Sequence, residues 1–219
     1  MRRLKVIRLR GVRTTMDTGE PETNAGFGPI DLDVEAGTLV AVTPPASGRS
    51  LLDVLDGTIT AQGRIELAGS VLAELTVAEQ VALRRRSLAR VTMSADGSAA
   101  LPAGGSVVTV RQSLAATDRR PRSTPVGPSL PLLPVMDRRL AELDAPTRGL
   151  VAIAHALRSN ADVLLLDAAE VPPGSTVTGT LAGPVRDLVD LEGRTVVVTV
   201  GDPALLRVAE EVIDLTAAP

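Results

Sequence analysis

The residues best suited to chemistry in this chain lie in the stretch TPPASGRS, residues 43–50. It falls between a strand-like run, TLVAV, and a helix-like run, LLDVLDG. Phosphate-binding loops occupy such a junction and read GxxxxGK[ST], with the Lys on the terminal phosphates and the hydroxyl on a magnesium ion. Gly48 and Ser50 match that pattern, whereas Thr43 replaces the first Gly and Arg49 replaces the Lys. The stretch therefore indicates a phosphate-binding loop, or the remains of one.

A second candidate is Asp167, which ends the apolar run ADVLLLD. The run is typical of a buried parallel strand. In P-loop folds the Ser or Thr of the loop binds the magnesium ion, and an acidic residue at the end of such a strand supports it. Ser50 and Asp167 together predict a magnesium site in a P-loop nucleotide-binding fold. The alternative is that Asp167 only caps the turn after its strand.

The composition excludes several other classes of site. The chain has 219 residues, a net charge of −3, no Cys, one His and one aromatic residue, Phe27. Disulfides, thiolate metal sites and His clusters are therefore excluded, and neither the charge nor the aromatic content favours nucleic-acid binding. His155 is expected on a helix surface or at an interface. Without an apolar run of about 18 residues, the chain is expected to be cytosolic.

The elements that must position these residues alternate along the chain. Strand-like runs such as LKVIRLRGV, IDLDV and TVVVTV are separated by helix-like stretches. Helices are predicted at 49–57, 76–88, 135–143, 147–160, about 181–191 and 202–211. This alternation predicts an α/β fold with a mostly parallel sheet covered by helices.

The alternation is interrupted between about residues 94 and 135. The segment PRSTPVGPSLPLLP has five prolines in fourteen residues, which excludes a helix interior. We interpret this insert either as a flexible surface loop or as an altered docking surface.

Four longer stretches, 30–75, 79–93, 143–167 and 193–215, together resemble the ATP-binding (nucleotide-binding) domain of ABC transporters. The similarity is to the lipoprotein-release and macrolide-exporter branch, and it covers nearly the whole chain except the proline-rich insert. The resemblance implies one P-loop NTPase domain of the ABC type over residues 1–219. Such a domain has a mostly parallel sheet flanked by helices, antiparallel N-terminal strands and a small helical subdomain. The subdomain is expected here at 94–147, in a shortened, proline-rich form.

The resemblance also implies cofactors and a site. The cofactors would be ATP and Mg²⁺, with Ser50 and Asp167 on the magnesium ion. The implied nucleotide-binding residues are Thr43, Ser47, Gly48, Arg49, Ser50 and Leu51. The signature segment, which in the family contacts the γ-phosphate held by a partner chain, falls on Asp144, Ala145, Pro146 and Thr147.

Most reacting positions depart from the family's pattern. The general-base Glu falls on Ala168 and the switch His on Gly201, so no catalytic residue is predicted with either role. Glu170 could replace the base if its loop were shifted. The other altered positions are the glutamine of the Q-loop, at Met93 or Ser94, and the adenine-stacking aromatic residue, at Met16.

Three functions stay open from the sequence. The first is a hydrolysis-impaired ATP-binding subunit that works with an FtsX-like permease and an active ATPase chain. That subunit would lie at the cytoplasmic face of the membrane, contacting it only through the permease, in a homodimer or heterodimer. The second is a divergent but active ATPase that uses Arg49, Ser50 and Asp167. The third is a nucleotide-free scaffold unrelated to transport.

Overall fold

The computed structural model describes residues 4–14, 25–100, 108–115, 130–159 and 161–216. The strands are β1 (Lys5–Thr14), β2 (Phe27–Glu35), β3 (Leu39–Thr43), β4 (Gln62–Leu67), β5 (Ser70–Val71), β6 (Leu88–Thr92), β7 (Val163–Asp167), β8 (Thr195–Thr199) and β9 (Glu211–Asp214). The helices are α1 (Pro45–Asp56), α2 (Val77–Ser87), α3 (Val110–Ala115), α4 (Ala145–Leu157), α5 (Thr176–Asp190) and α6 (Pro203–Val208).

These strands form two sheets. One is antiparallel with the order β2-β1-β4-β5, and the other is parallel with the order β6-β7-β8-β3-β9. The strands β7 and β8 are buried along their whole length, as expected for parallel strands covered on both faces. The predicted mostly parallel sheet with helices and antiparallel N-terminal strands is confirmed.

The two faces of the parallel sheet border different cores. Helix α1 and the antiparallel sheet pack on one face, and helices α4 and α5 pack on the other. Along β7, Val163 and Leu165 belong to the α1 side, whereas Leu164, Leu166 and Ala168 belong to the α4 and α5 side. Because side chains alternate along a strand, the end of β7 has Asp167 on the α1 side.

The predicted helix at 135–143 is wrong. The chain there has only short 3₁₀ turns, at Leu133–Val135 and Leu140–Glu142. Its backbone bonds elsewhere: Leu140 N–H donates to the carbonyl of Val108 at 3.1 Å, and Arg138 carbonyl accepts from Val110 N–H at 3.1 Å. Tertiary pairing with the segment before α3 has overridden the local helical pattern.

Some predictions cannot be compared with the described ranges. Residues 121–129 of the proline-rich insert lie outside them, as does Met16. None of the helices in the described ranges combines the length and apolarity needed to cross a bilayer.

His155 does not lie on a helix surface, which is the first of its two expected positions. It is 8% exposed and lies between α4 and α3, where Ser113 Oγ is 2.7 Å from His155 Nε2. Burial, followed by the charge of Arg158, lowers the pKa of His155 below its ordinary value of 6.5. The native chain therefore favours a neutral imidazole.

This environment predicts a loss of stability in mild acid. As the pH falls through 6.5, the unfolded chain binds a proton that native His155 resists, so the free energy of unfolding decreases. Above 6.5 both states are neutral at this residue, and the full stability is present. Urea unfolding at several pH values should show a steeper acid decline for the wild type than for His155→Gln. Equal slopes in the two proteins would contradict the assignment.

Candidate nucleotide site

Residues 43–50 form mostly helix rather than a loop. Strand β3 ends at Thr43 and α1 begins at Pro45, so one residue, Pro44, joins them. Gly48 N–H donates to the Pro44 carbonyl at 2.9 Å and is thus used within the helix. We predicted the helix from residue 49, and its start is therefore earlier than expected. A proline at the first helical position favours this early start, because its fixed φ suits a helix and its missing N–H is not needed there.

The first turn of α1 offers few donors to an anion. A helix has four N–H groups at its start without intrahelical partners. In α1 these positions are Pro44, Pro45, Ala46 and Ser47, and the two prolines have no N–H. Only two backbone N–H groups are therefore left where a phosphate-binding loop presents several.

The other predicted nucleotide-binding residues are packed into the structure. Thr43 Oγ1 donates to the carbonyl of Ile213 at 3.3 Å. A Cβ on Gly48 would lie 3.0 Å from Cγ2 of Thr199, so α1 approaches β8 closely at this glycine. Ser47 is 6% exposed and Leu51 is fully buried. These side chains hold α1 against the sheet.

Arg49 turns toward the end of β7. Its Nε donates to Asp167 Oδ2 at 3.0 Å, and its Nη1 donates to Glu170 Oε1 at 3.0 Å. Burial acts to lower the pKa of Arg49, but the charge and hydrogen bonds of Asp167 and Glu170 outweigh it and raise the pKa. The guanidinium is thus a permanent cation bound to the predicted magnesium ligand. The lysine of a phosphate-binding loop instead reaches the terminal phosphates.

Asp167 is fully buried, and both of its carboxylate oxygens accept hydrogen bonds from the protein. Besides Arg49, Arg90 Nη2 donates to Oδ2 at 3.0 Å, while Thr199 Oγ1 and Ala169 N–H each donate to Oδ1 at 3.1 Å. A carboxylate has about four lone-pair sites. Mg²⁺ requires oxygen ligands at about 2.0–2.1 Å in near-octahedral geometry. Asp167 therefore has no acceptor site left for a metal ion.

Ser50 does not present its hydroxyl to a metal either. It is fully buried, and its Oγ donates to the Ala46 carbonyl at 3.3 Å within α1. Such bonds to the preceding turn are common for Ser within helices. Because Ser50 and Asp167 are both engaged by the protein, this arrangement does not fit a bound magnesium ion.

The positions expected to activate water have no reactive group. Ala168 is fully buried in the core beside α4 and α5, on the opposite face of β7 from Asp167. A Cβ on Gly201 would lie 3.3 Å from Cγ of Pro45, so α1 packs closely against that position. Glu170 is near the site, but its carboxylate binds Arg49. No general base is therefore in place among these residues.

The signature-like segment forms the start of α4. Asp144 is its N-cap and accepts from Thr147 N–H at 2.9 Å. Hydrogen bonds from the Thr147 side chain and backbone lower the pKa of Asp144, which is therefore a carboxylate. Ala145 and Pro146 are in the first turn of the helix. The segment is on a different helix from Arg49, and its exposed end presents negative charge.

The structure also places Met93, one of the two positions expected for the Q-loop glutamine. Met93 is fully buried, and its Cε would be 2.8 Å from a Cβ on Gly149 of α4. This residue thus packs as part of the core.

Sequence reasoning missed Arg90, Asp53 and Asp56. Arg90 Nη1 donates to both aspartates of α1 while its Nη2 binds Asp167. The available signal was an arginine inside the otherwise apolar, strand-like run LARVTM. A charge at such a position requires a buried partner.

The fold is that of the ABC-type nucleotide-binding domain within the P-loop NTPases. Among solved structures, the chain resembles the dimeric ATP-binding cassette MJ0796 bound to ADP and Pi, with 19% identity and a TM-score of 0.66. That match covers 95% of this chain and 93% of the other. For cbiO1 from Clostridium perfringens, part of the ABC transporter complex cbiONQ, identity is 15%, the TM-score is 0.73, and the coverages are 96% and 84%. These likenesses show the fold.

Sequence relatives narrow the class. The chain is 30% identical over 225 residues to a macrolide export ATP-binding/permease protein MacB of Paracoccus denitrificans, covering 96% of this chain and 32% of that protein. It is 30% identical over 217 residues to MacB of Rhodopseudomonas palustris, with coverages of 95% and 32%. The chain thus spans about a third of these relatives. No protein-family model matches it. The chain is an ABC-type ATP-binding domain similar to those of the macrolide-exporter branch.

Proposed function

We propose that this chain is a hydrolysis-impaired ATP-binding subunit of an ABC transporter, acting as a structural or regulatory partner of an active ATPase chain. The observation that carries the proposal is the saturation of Asp167 by Arg49 and Arg90. Turnover requires a magnesium ion at that carboxylate and a base for the attacking water. Ala168 supplies no base, so both requirements are missing at one strand end.

The proposed partners are an FtsX-like permease and a second ABC ATP-binding chain, the same or different. The relatives described above are ATP-binding/permease proteins, and one structural neighbour is a dimer. Both points support a complex at the cytoplasmic face of the membrane, with the permease making the membrane contact. In that complex Asp144 would face a partner's phosphates with a like charge, which disfavours completion of the partner's site.

A second candidate is a nucleotide-free scaffold. It is favoured by the start of α1 at Pro45, because the helix uses the Gly48 N–H that a phosphate loop would present. A divergent active ATPase is disfavoured, since Arg49 would have to leave two carboxylates before Asp167 could bind a metal. Nucleotide binding separates these possibilities.

We expect the purified chain to release no phosphate from MgATP above the rate without protein. We also expect the unfolding midpoint in ATP to be the same with Mg²⁺ as with EDTA, because a ligand stabilises by RT ln(1 + [L]/Kd) and a metal ion that Asp167 does not bind leaves the Kd for ATP unchanged. Far-UV circular dichroism is the suitable probe, as the chain has no Trp or Tyr.

The outcomes separate the three functions. Phosphate release that is abolished by Asp167→Asn would contradict the proposal and favour the active ATPase. A midpoint raised equally by ATP with and without Mg²⁺ supports an ATP-binding subunit without turnover. A midpoint unmoved by ATP in either condition favours the nucleotide-free scaffold.

A further inference from the structure

A cavity of about 240 Å³ lies between the C-terminal end of α1, the start of β4 and helix α2. Residues 43–50 are at the other end of α1. Most of the cavity wall is apolar and is formed by Val54, Ile59, Ala61, Ile65 and Leu72. Its rim is exposed at Gly57, Gly63 and Ala73, so the cavity opens to solvent. Drug-sized ligands occupy sites of about 300–1,000 Å³, and this cavity therefore suits a smaller molecule.

Two residues one turn apart on α2, Gln80 and Arg84, give the cavity a polar end. Arg84 Nε donates to the Leu55 carbonyl at 3.0 Å, and its Nη1 donates to Gln80 Oε1 at 3.2 Å. The Gln80 amide is itself held, because its Nε2 donates to the Leu75 carbonyl at 3.2 Å. The guanidinium lies close to Gly57, where an added Cβ would be 2.9 Å from Arg84 Cζ. Both α2 side chains are thus positioned before any ligand arrives.

Arg84 donates only to neutral acceptors within the part of the chain that the structure describes. Arg49 and Arg90, by contrast, bind the buried carboxylate of Asp167 and have a raised pKa. The pKa of Arg84 is lowered, because burial outweighs the opposite effect of the charge of Asp56. An arginine stays protonated at neutral pH, and these bonds use two of its five N–H groups. Arg84 is therefore a partly buried cation with donors left for an anion.

We propose that this cavity binds a small organic carboxylate, with the carboxylate on Arg84 and a compact apolar body against the wall formed by α1 and β4. Arginine binds carboxylates through two parallel N–H···O bonds, and such charge-assisted bonds are stronger than those between neutral groups. The apolar wall favours a short hydrocarbon or a ring, because apolar surface is stabilised by leaving water. The inference does not rest on nucleotide binding, since no residue of 43–50 lines the cavity.

Benzoate is the probe for this site, and saturation-transfer NMR of the ligand with the purified chain measures its binding. Benzamide has the same ring without the charge, and acetate has the charge without the ring. We expect benzoate to bind the wild type with a Kd of about 1–10 mM, and benzamide and acetate to bind at least about tenfold more weakly.

Three variants locate the site. Arg84→Gln should weaken benzoate binding at least about tenfold, because it removes the cation that binds the carboxylate. Ala61→Leu should weaken it by a similar factor, because the larger side chain fills the cavity and leaves Arg84 in place. Arg85→Gln is the matched control, since Arg85 is an exposed neighbour on α2 that does not line the cavity. This control should bind benzoate as the wild type does.

The proposal is overturned if the wild type does not bind benzoate at tens of millimolar, if benzamide or acetate binds as tightly, or if Ala61→Leu leaves binding unchanged. Arg84 also contacts the end of α1, so Arg84→Gln removes a bond to that helix as well as the cation. If this variant does not fold, benzamide tests the role of the charge and Ala61→Leu still tests the location. Phosphate release from the wild type tests the proposed function separately, so either proposal can fail without the other.

Discussion

Asp167→Asn should destabilise the folded chain by about 3–5 kcal/mol, the cost of removing one partner from a buried ion pair. Asn keeps the shape of the side chain but removes its charge, so Arg49 and Arg90 lose their shared buried anion. Folded domains have only about 5–15 kcal/mol of stability, and this loss is a large part of it. Urea unfolding followed by far-UV circular dichroism measures the change.

The matched control for this prediction is Glu170→Gln. Glu170 binds the same Arg49, but its side chain is 46% exposed. Exposed ion pairs contribute at most about 1 kcal/mol, so this variant should be near wild type. Equal stability of the two variants would show that Asp167 is not the centre of a buried charge network. In an ordinary ATPase site, Asp167→Asn would instead affect turnover far more than folding.

Ala168→Glu, the change that restores the family's catalytic residue, should destabilise the chain by roughly 4 kcal/mol or more and give no ATP turnover. Ala168 is fully buried beside α4 and α5, so the new carboxylate would be desolvated and overpack the core. Burying a carboxylate without a partner lowers the free energy of unfolding, and overpacking a core lowers it by about 1–3 kcal/mol. Unfolding and phosphate-release measurements on the same sample test both parts.

Ala169→Glu is the control, because residue 169 is half-buried and one position nearer the turn. Ala169→Glu should lower the free energy of unfolding much less than Ala168→Glu does. If Ala168→Glu folded as well as the wild type and hydrolysed ATP, position 168 would face the site, and one substitution would separate this chain from an active enzyme.

The fold could be predicted from the sequence because its signals are local. Alternating and continuous apolar runs mark the strands of both sheets, and the helix predicted over 76–88 is α2, which begins with a capping box made by Thr76 and Glu79. The helix predicted over 135–143 does not form, because the backbone of this segment pairs with residues near Val108. No local sequence pattern reveals that partner.

The candidate site was predicted less completely. Its place at the end of β3 and β7 followed from motif order, and the structure brings Arg49 and Asp167 together. The partners of Arg90 could not be predicted, because they depend on the register of β6 on β7 and on the face toward which α1 packs. The burial of Ala168 depends on the same alternation and became visible only with the sheet in place.

Electron paramagnetic resonance of Mn²⁺ with ATP shows whether Arg49 and Arg90 keep a metal ion from the carboxylate of Asp167. Mn²⁺ prefers the same oxygen ligands as Mg²⁺, and its signal changes when a protein carboxylate binds it. We predict that the wild-type chain leaves the spectrum of Mn²⁺–ATP unchanged. A protein-bound Mn²⁺–ATP signal in the wild type that disappears in Asp167→Asn would show instead that Asp167 binds the metal ion.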